Sequence, residues 1–143
     1  MAEQTYATHR RMHPLFHYII FPILAINSLV ALWTAIKHPS GATIWAFIVA
    51  LTLAALAVVV RLYALRVQDR LIRLEEQSRL RRLLPDEMQG RIGDFRTSQL
   101  VAMRFCHDDE LCELARAILD GEVKNADEIK RRIRTWRADW LRV

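Results

Sequence analysis

Between Thr43 and Leu84 the chain runs for 42 residues without a glycine or a proline. The run begins with an apolar stretch, Ile44 to Val60, and continues into the arginine-rich VRLYALRVQDRLIRLEEQSRLRRLL. Nothing in it interrupts a helix. At about 1.5 Å per residue, one helix of this length extends roughly 60 Å, about twice the thickness of bilayer hydrocarbon. One half suits lipid and the other water. The fold class expected is all-α: a transmembrane helical hairpin, its second helix extended into the cytosol, followed by a small helical cytosolic domain.

Charge segregates in the same way. Residues 14–60 carry one formal charge, Lys37, whereas residues 61–143 carry 18 Lys and Arg and 15 Asp and Glu. The net charge of +5 divides into +2 for residues 1–60, +4 for 61–84, −5 for 85–122 and +4 for 123–143. Alternating blocks favour contacts between blocks over one broad nucleic-acid footprint.

Residues 1–13 read as a cytosolic N-terminal segment with Arg10 and Arg11. Residues 14–60 read as the two-pass hairpin, with spans 15–36 and 43–60. Pro14 suits a first helical turn, and Pro22 predicts a kink about one turn in, which membrane helices tolerate. The link 37–42, KHPSGA, carries Pro39 and Gly41 and is short enough to make the spans antiparallel neighbours. Trp33 and Trp45 flank it at one membrane interface. Basic residues set the orientation: the turn has only Lys37, while Arg10, Arg11, Arg61, Arg66, Arg70 and Arg73 lie on the other side. The positive-inside rule then puts both termini in the cytosol, with Arg61, Tyr63 and Arg66 at the inner interface. Asn27 and Ser28, and the small residues Ala46, Ala50 and Ala54 at i, i+4, i+8, are the expected helix-packing positions. They serve either the hairpin itself or a partner helix.

The charged juxtamembrane helix 61–84 carries Asp69–Arg73 and Glu75–Arg79 in the favourable acid-first order. Leu71, Leu74 and Ser78 mark an incomplete stripe, too short for a self-sufficient coiled coil. Pro85 ends the helix. Residues 85–143 read as a small all-helical domain. Met88, Ile92 and Phe95 share a face. Thr97 or Ser98 caps a helix with Leu100, Val101 and Phe105. Asp108 opens a helix with Leu111, Leu114, Ala115 and Ile118 inward and Gly121 beyond its end. Asn125 and Glu128 resemble a capping box. The helix after them places Ile129, Ile133, Trp136 and Trp140 on one stripe. So small a domain is marginal alone and is expected to lean on the long helix or a partner.

Chemistry is sparse. His9, His13 and His17 at i, i+4, i+8 form a weak candidate metal or haem site, interrupted by Pro14. The alternative is interfacial histidines. The basic final helix, with Lys130, Arg131, Arg134, Trp136, Arg137 and Trp140, leaves three contacts open: the acidic residues Asp108, Asp109, Glu110 and Glu113, anionic lipid, or nucleic acid, the last without a groove-reading motif. Cys106 and Cys112 match no zinc pattern and read as reduced structural thiols. The chain has no nucleophile–base pair, phosphate-cradling loop or paired carboxylates, so no enzyme activity and no cofactor is inferred.

The chain resembles a functionally uncharacterised family of small bacterial two-helix inner-membrane proteins, a domain of unknown function. The resemblance rests on His9 with Pro14-Leu15-Phe16-His17, on Arg61-Leu62-Tyr63-Ala64-Leu65-Arg66-Val67-Gln68-Asp69-Arg70 and on Arg73-Leu74-Glu75-Glu76. It extends to Leu83-Leu84-Pro85, Gln99-Leu100-Val101-Ala102-Met103-Arg104-Phe105 and the terminal Trp136-Arg137-Ala138-Asp139-Trp140-Leu141-Arg142-Val143. It implies a bacterial inner-membrane setting and brings no activity. The expectation is a protein acting by association, as accessory subunit, scaffold or anchor, with lipid and a protein partner or a second copy. The alternatives are a redox or haem module on the histidines and a membrane-tethered nucleic-acid binder.

Overall fold

The computed structural model describes Tyr6 and residues 13–139. The described residues are all-α, and the chain divides into two compact units. Among the described residues, one is 13–65; the other is 66–139 together with Tyr6.

In the first unit a π-helical turn, Leu15–Ile20, leads into α1, Phe21–Lys37. Proline has no N–H, and its ring crowds the carbonyl four residues back. Next to Pro22, where a kink is expected, stands this wider turn, in which the Phe21 N–H donates to the Phe16 carbonyl five residues back. After a break at His38, α2 runs Gly41–Leu83. It starts two residues earlier than the sequence predicts, because Ser40 and Thr43 cap it reciprocally. The Ser40 hydroxyl accepts from the Thr43 N–H (3.2 Å), and the Thr43 hydroxyl accepts from the Ser40 N–H (3.0 Å). At the far end Arg61 lies over the Phe16 ring, 5.8 Å from its centroid. Residues 16 and 61 are almost equally distant from the 38–40 turn, so the two helices run antiparallel.

Both helices are long and apolar enough to cross a membrane, with mean hydropathies of 2.2 and 2.6 over their most apolar windows. None of Leu15–Lys37 is buried, and within 41–60 only Ala50 is. The hydroxyls of Ser28, Thr34 and Thr52 bond within their own helices: Ser28 donates to the Leu24 carbonyl (2.8 Å), Thr34 to Val30 (2.9 Å) and Thr52 to Ile48 (2.8 Å).

The second unit is a small helical domain. After the end of α2 come α3, Asp86–Gln89, a 3-10 turn, Ile92–Asp94, then α4, Thr97–Met103, α5, Asp108–Leu119, and α6, Ala126–Arg132. Met88, Ile92 and Phe95 are buried, as their shared face predicts. Arg96, rather than Thr97 or Ser98, is the N-cap of α4, and its N–H donates to the Gln99 side chain (2.8 Å). Leu111, Leu114, Ala115 and Ile118 of α5 point inward. Gly121, at φ +80°, closes α5: its N–H donates to the Ile118 carbonyl (3.2 Å) and the Glu122 N–H to Ala117 (3.0 Å). The Asn125 side chain caps α6 by accepting from the Asp127 and Glu128 N–H groups. Leu80 and Leu84 lie in the same core as Leu100, Met103, Phe105, Leu111 and Ile129. The last turns of the long helix therefore supply part of a core that the tail alone would leave thin.

The final helix departs from its reading. It stops at Arg132, and Ile133 is extended (φ −67°, ψ 121°). The Glu110 carboxylate accepts the backbone N–H groups of Arg134 (3.1 Å) and Thr135. There the chain pairs with the loop between α4 and α5: the Arg137 N–H donates to the Phe105 carbonyl (2.7 Å) and the His107 N–H to the Thr135 carbonyl (3.2 Å). Trp136 stacks on Phe105 at 5.0 Å between centroids. A carboxylate and a backbone partner have outcompeted the helical ladder, so Ile129, Ile133 and Trp136 share no helical stripe. Trp140 lies outside the described residues.

Candidate interaction surface

Arg79, four residues before the end of α2, is the hub of the helical domain. Its side chain is 5% exposed. Nη1 donates to Glu76 (3.0 Å), Nε to Asp108 (2.7 Å) and Nη2 to the Cys106 carbonyl (2.6 Å), so α2, α5 and the loop between α4 and α5 meet on one guanidinium. The three acceptors are reached from three different nitrogens of the planar guanidinium, which a single ammonium nitrogen does not offer. Burial pushes the Glu76 carboxyl above its ordinary value, against the pull of Arg79. Asp108, largely solvated, is held low chiefly by its hydrogen bond from Arg79. The sequence offered Glu75 as the i+4 partner. The structure turns Arg79 inward to Glu76 at i+3 and leaves Glu75 exposed. Nearby Arg104, itself buried, approaches Asp139 at 3.0 Å, and Arg137 comes within 3.9 Å of Glu76.

Beside this network a groove open to solvent runs along α2, lined by Leu71, Leu74, Glu75 and Ser78 and by Arg137 and Asp139 of the C-terminal segment.

Among the basic residues singled out in the tail, Arg134 pairs with Glu113 (2.8 Å) and Glu110 (3.7 Å) on α5. Burial raises the Glu110 carboxyl, but the N–H groups of Arg134 and Thr135 outweigh it and hold it low. Arg131 pairs with Asp127 (2.8 Å), and its Nε donates to the Tyr6 hydroxyl (3.1 Å). Arg137 is exposed, Lys130 half-buried, and Trp136 packs against the core. The acidic face of α5 thus takes up the basic segment through Arg134.

Trp33 and Trp45 are exposed on either side of the turn, and the Lys37 ammonium sits 4.9 Å from the Trp33 ring. Tyr63 and Arg66 are exposed and Arg61 is half-buried. Of the packing positions, Ala50 is buried, Ala54 and Ser28 are half-buried, and Ala46 and Asn27 are exposed. The covered positions of α2 run Phe47, Ala50, Ala54, Ala57, at i, i+3, i+7, i+10. This follows the helical repeat, whereas an i, i+4, i+8 row drifts off it. His13 and His17 are half-buried, and the His17 Nδ1 lies 3.0 Å from the His13 carbonyl. Among the described residues no three His, Cys, Asp or Glu side chains come together as a metal site; His9 lies outside them. Cys106 is buried and Cys112 half-buried, and neither forms a disulfide. Burial pushes the Cys106 thiol up to about 12.

No curated protein and no solved structure matches the chain. A family described as a family of unknown function, DUF6526, matches residues 1–143, and the chain belongs to that family over its whole length.

Proposed function

We infer that this chain is a small multi-pass protein of a bacterial inner membrane, with both termini in the cytosol, that acts by association as an accessory subunit, scaffold or anchor. The observation that carries this reading is the uncovered apolar pair. Leu15–Lys37 and the first part of Gly41–Leu83 have the length and hydropathy of spans, and almost none of their residues are buried. Left in water, that surface would far exceed the patch a soluble monomer tolerates. The orientation follows from Lys37 alone at the turn against the arginines from Arg61 onward. Association is supported by the solvent-open groove along α2, where Leu71 and Leu74 lie uncovered beside the Arg79 network.

Fractionation with a reporter fused at Val143, then sizing and mass spectrometry of the particle in mild detergent, tests the reading. Sedimentation with membranes, a cytosolic reporter and a particle larger than one chain are expected. Protein left in the supernatant, a reporter outside the cytosol, or a partnerless monomer in native membranes overturns it.

A further inference from the structure

Three large apolar side chains on the charged part of α2 stay uncovered, two of them, Leu71 and Leu74, at the groove that Arg137 and Asp139 also line. Val67, Leu71 and Leu74 are 67, 55 and 65% exposed, while Ile72 and Leu80 on the same helix are 6 and 0% exposed. With exposed Ser78, the spacing i, i+4, i+7, i+11 is a d-a-d-a seam. The structure resolves what made this stripe irregular in sequence: Ile72, Leu80, Leu83 and Leu84 belong to the inward side and are not part of the seam.

In that register Arg70 occupies g and Glu75 occupies e, and both are exposed. A parallel pair of helices brings g of one strand to the following e of the other. Arg70 of one copy then meets Glu75 of its mate, and two-fold symmetry repeats the pair. The next such pair, Gln77 with Arg82, opposes no like charges. Arg79, which on an exposed helix would hold Glu75, is committed to Glu76 and Asp108.

We propose that this face is a homotypic docking surface, on which α2 of one copy lies parallel to α2 of a second through Val67, Leu71 and Leu74, flanked by Arg70–Glu75 pairs. The proposal rests on the membrane reading above. Copies inserted alike in one bilayer present α2 in the same direction and at high effective concentration. A seam of about two heptads needs that help, being too short to hold two free chains in solution.

Oxidative cross-linking of the full chain in native membranes tests it. Leu71→Cys and Leu74→Cys should give a product of twice the chain mass. Arg73→Cys, exposed but off the seam, should give severalfold less, with the unsubstituted chain reporting the background from Cys106 and Cys112. In the Leu71→Cys chain, Arg70→Glu or Glu75→Arg should each lower the yield, and the two together should restore it. Equal cross-linking at all three positions, or a double swap that restores nothing, overturns the proposal. A product containing a different polypeptide also overturns it, yet leaves the association reading standing. Failure to sediment with membranes removes that reading itself.

Discussion

Arg79 concentrates most of the residue-level chemistry. Removing one member of a buried ion pair leaves its partner charged and uncompensated, which costs about 3–5 kcal/mol. Arg79→Met should therefore lower stability by about that much, read from chemical unfolding followed by near-ultraviolet circular dichroism. Adding Glu76→Gln to that variant should return part of the loss, because a neutral amide needs no counter-charge. Arg79→Lys should not rescue, since a point charge cannot serve Glu76, Asp108 and the Cys106 carbonyl together. The two carboxylates answer to pH in opposite senses. Asp108, held low by Arg79, contributes stability that is present above its unfolded value of about 3.9 and is lost as pH falls through its folded value. Glu76, raised by burial, contributes most below its unfolded value of about 4.3, and that contribution is lost as pH rises through its folded value. Asp108→Asn should flatten the acid limb of the stability profile, and Glu76→Gln the limb above it, in unfolding midpoints measured across about pH 3 to 7. An unaltered profile in both variants would refute this assignment.

At the scale of elements, the ends of helices decide more than their middles. The closure of α5 depends on a left-handed Gly121, where a side chain costs about 1 kcal/mol even though open space surrounds it. Gly121→Ala should lose about that much in the same unfolding assay, with Gly121→Asn losing less. Helix starts were legible where a side-chain cap sits in the local sequence, except at α4, which Arg96 rather than Thr97 or Ser98 precedes as N-cap. Asp108 with its acidic first turn and Asn125 with Glu128 were both placed correctly. The stop of α6 was not, because its cause lies outside the segment: Glu110, one helix away, takes the N–H groups of Arg134 and Thr135. Pro22 was legible as a disturbance, while the π-helical turn next to it depends on how the neighbouring carbonyls find donors.

For the whole molecule the governing quantity is apolar surface that the protein does not cover. Leu51, exposed near the middle of the apolar part of α2, meets lipid in the proposed reading. A charge there should raise the cost of insertion by about 2.5–3.5 kcal/mol. Leu51→Arg should shift the chain measurably toward the uninserted form in an insertion assay, and a neutral result would count against the span. The same substitution in a soluble protein would fall on an exposed position and change little. The core of the helical domain includes Leu80 and Leu84 of α2, and its compact unit begins at Arg66 rather than at Pro85.

Sequence alone determined the all-α class, the two apolar helices, the turn between them and most helix starts of the tail. These follow from local composition, from the 3.6-residue repeat and from caps within one turn. Tertiary structure decided which side of α2 turns inward, and with it whether Arg79 answers Glu75 or Glu76 and whether Leu71 and Leu74 join the core or face outward. A helix offers both choices at equal local cost. The packing of α4, α5 and the C-terminal segment against one side breaks the tie, and that information is spread over residues nearly thirty apart, as between Arg79 and Asp108.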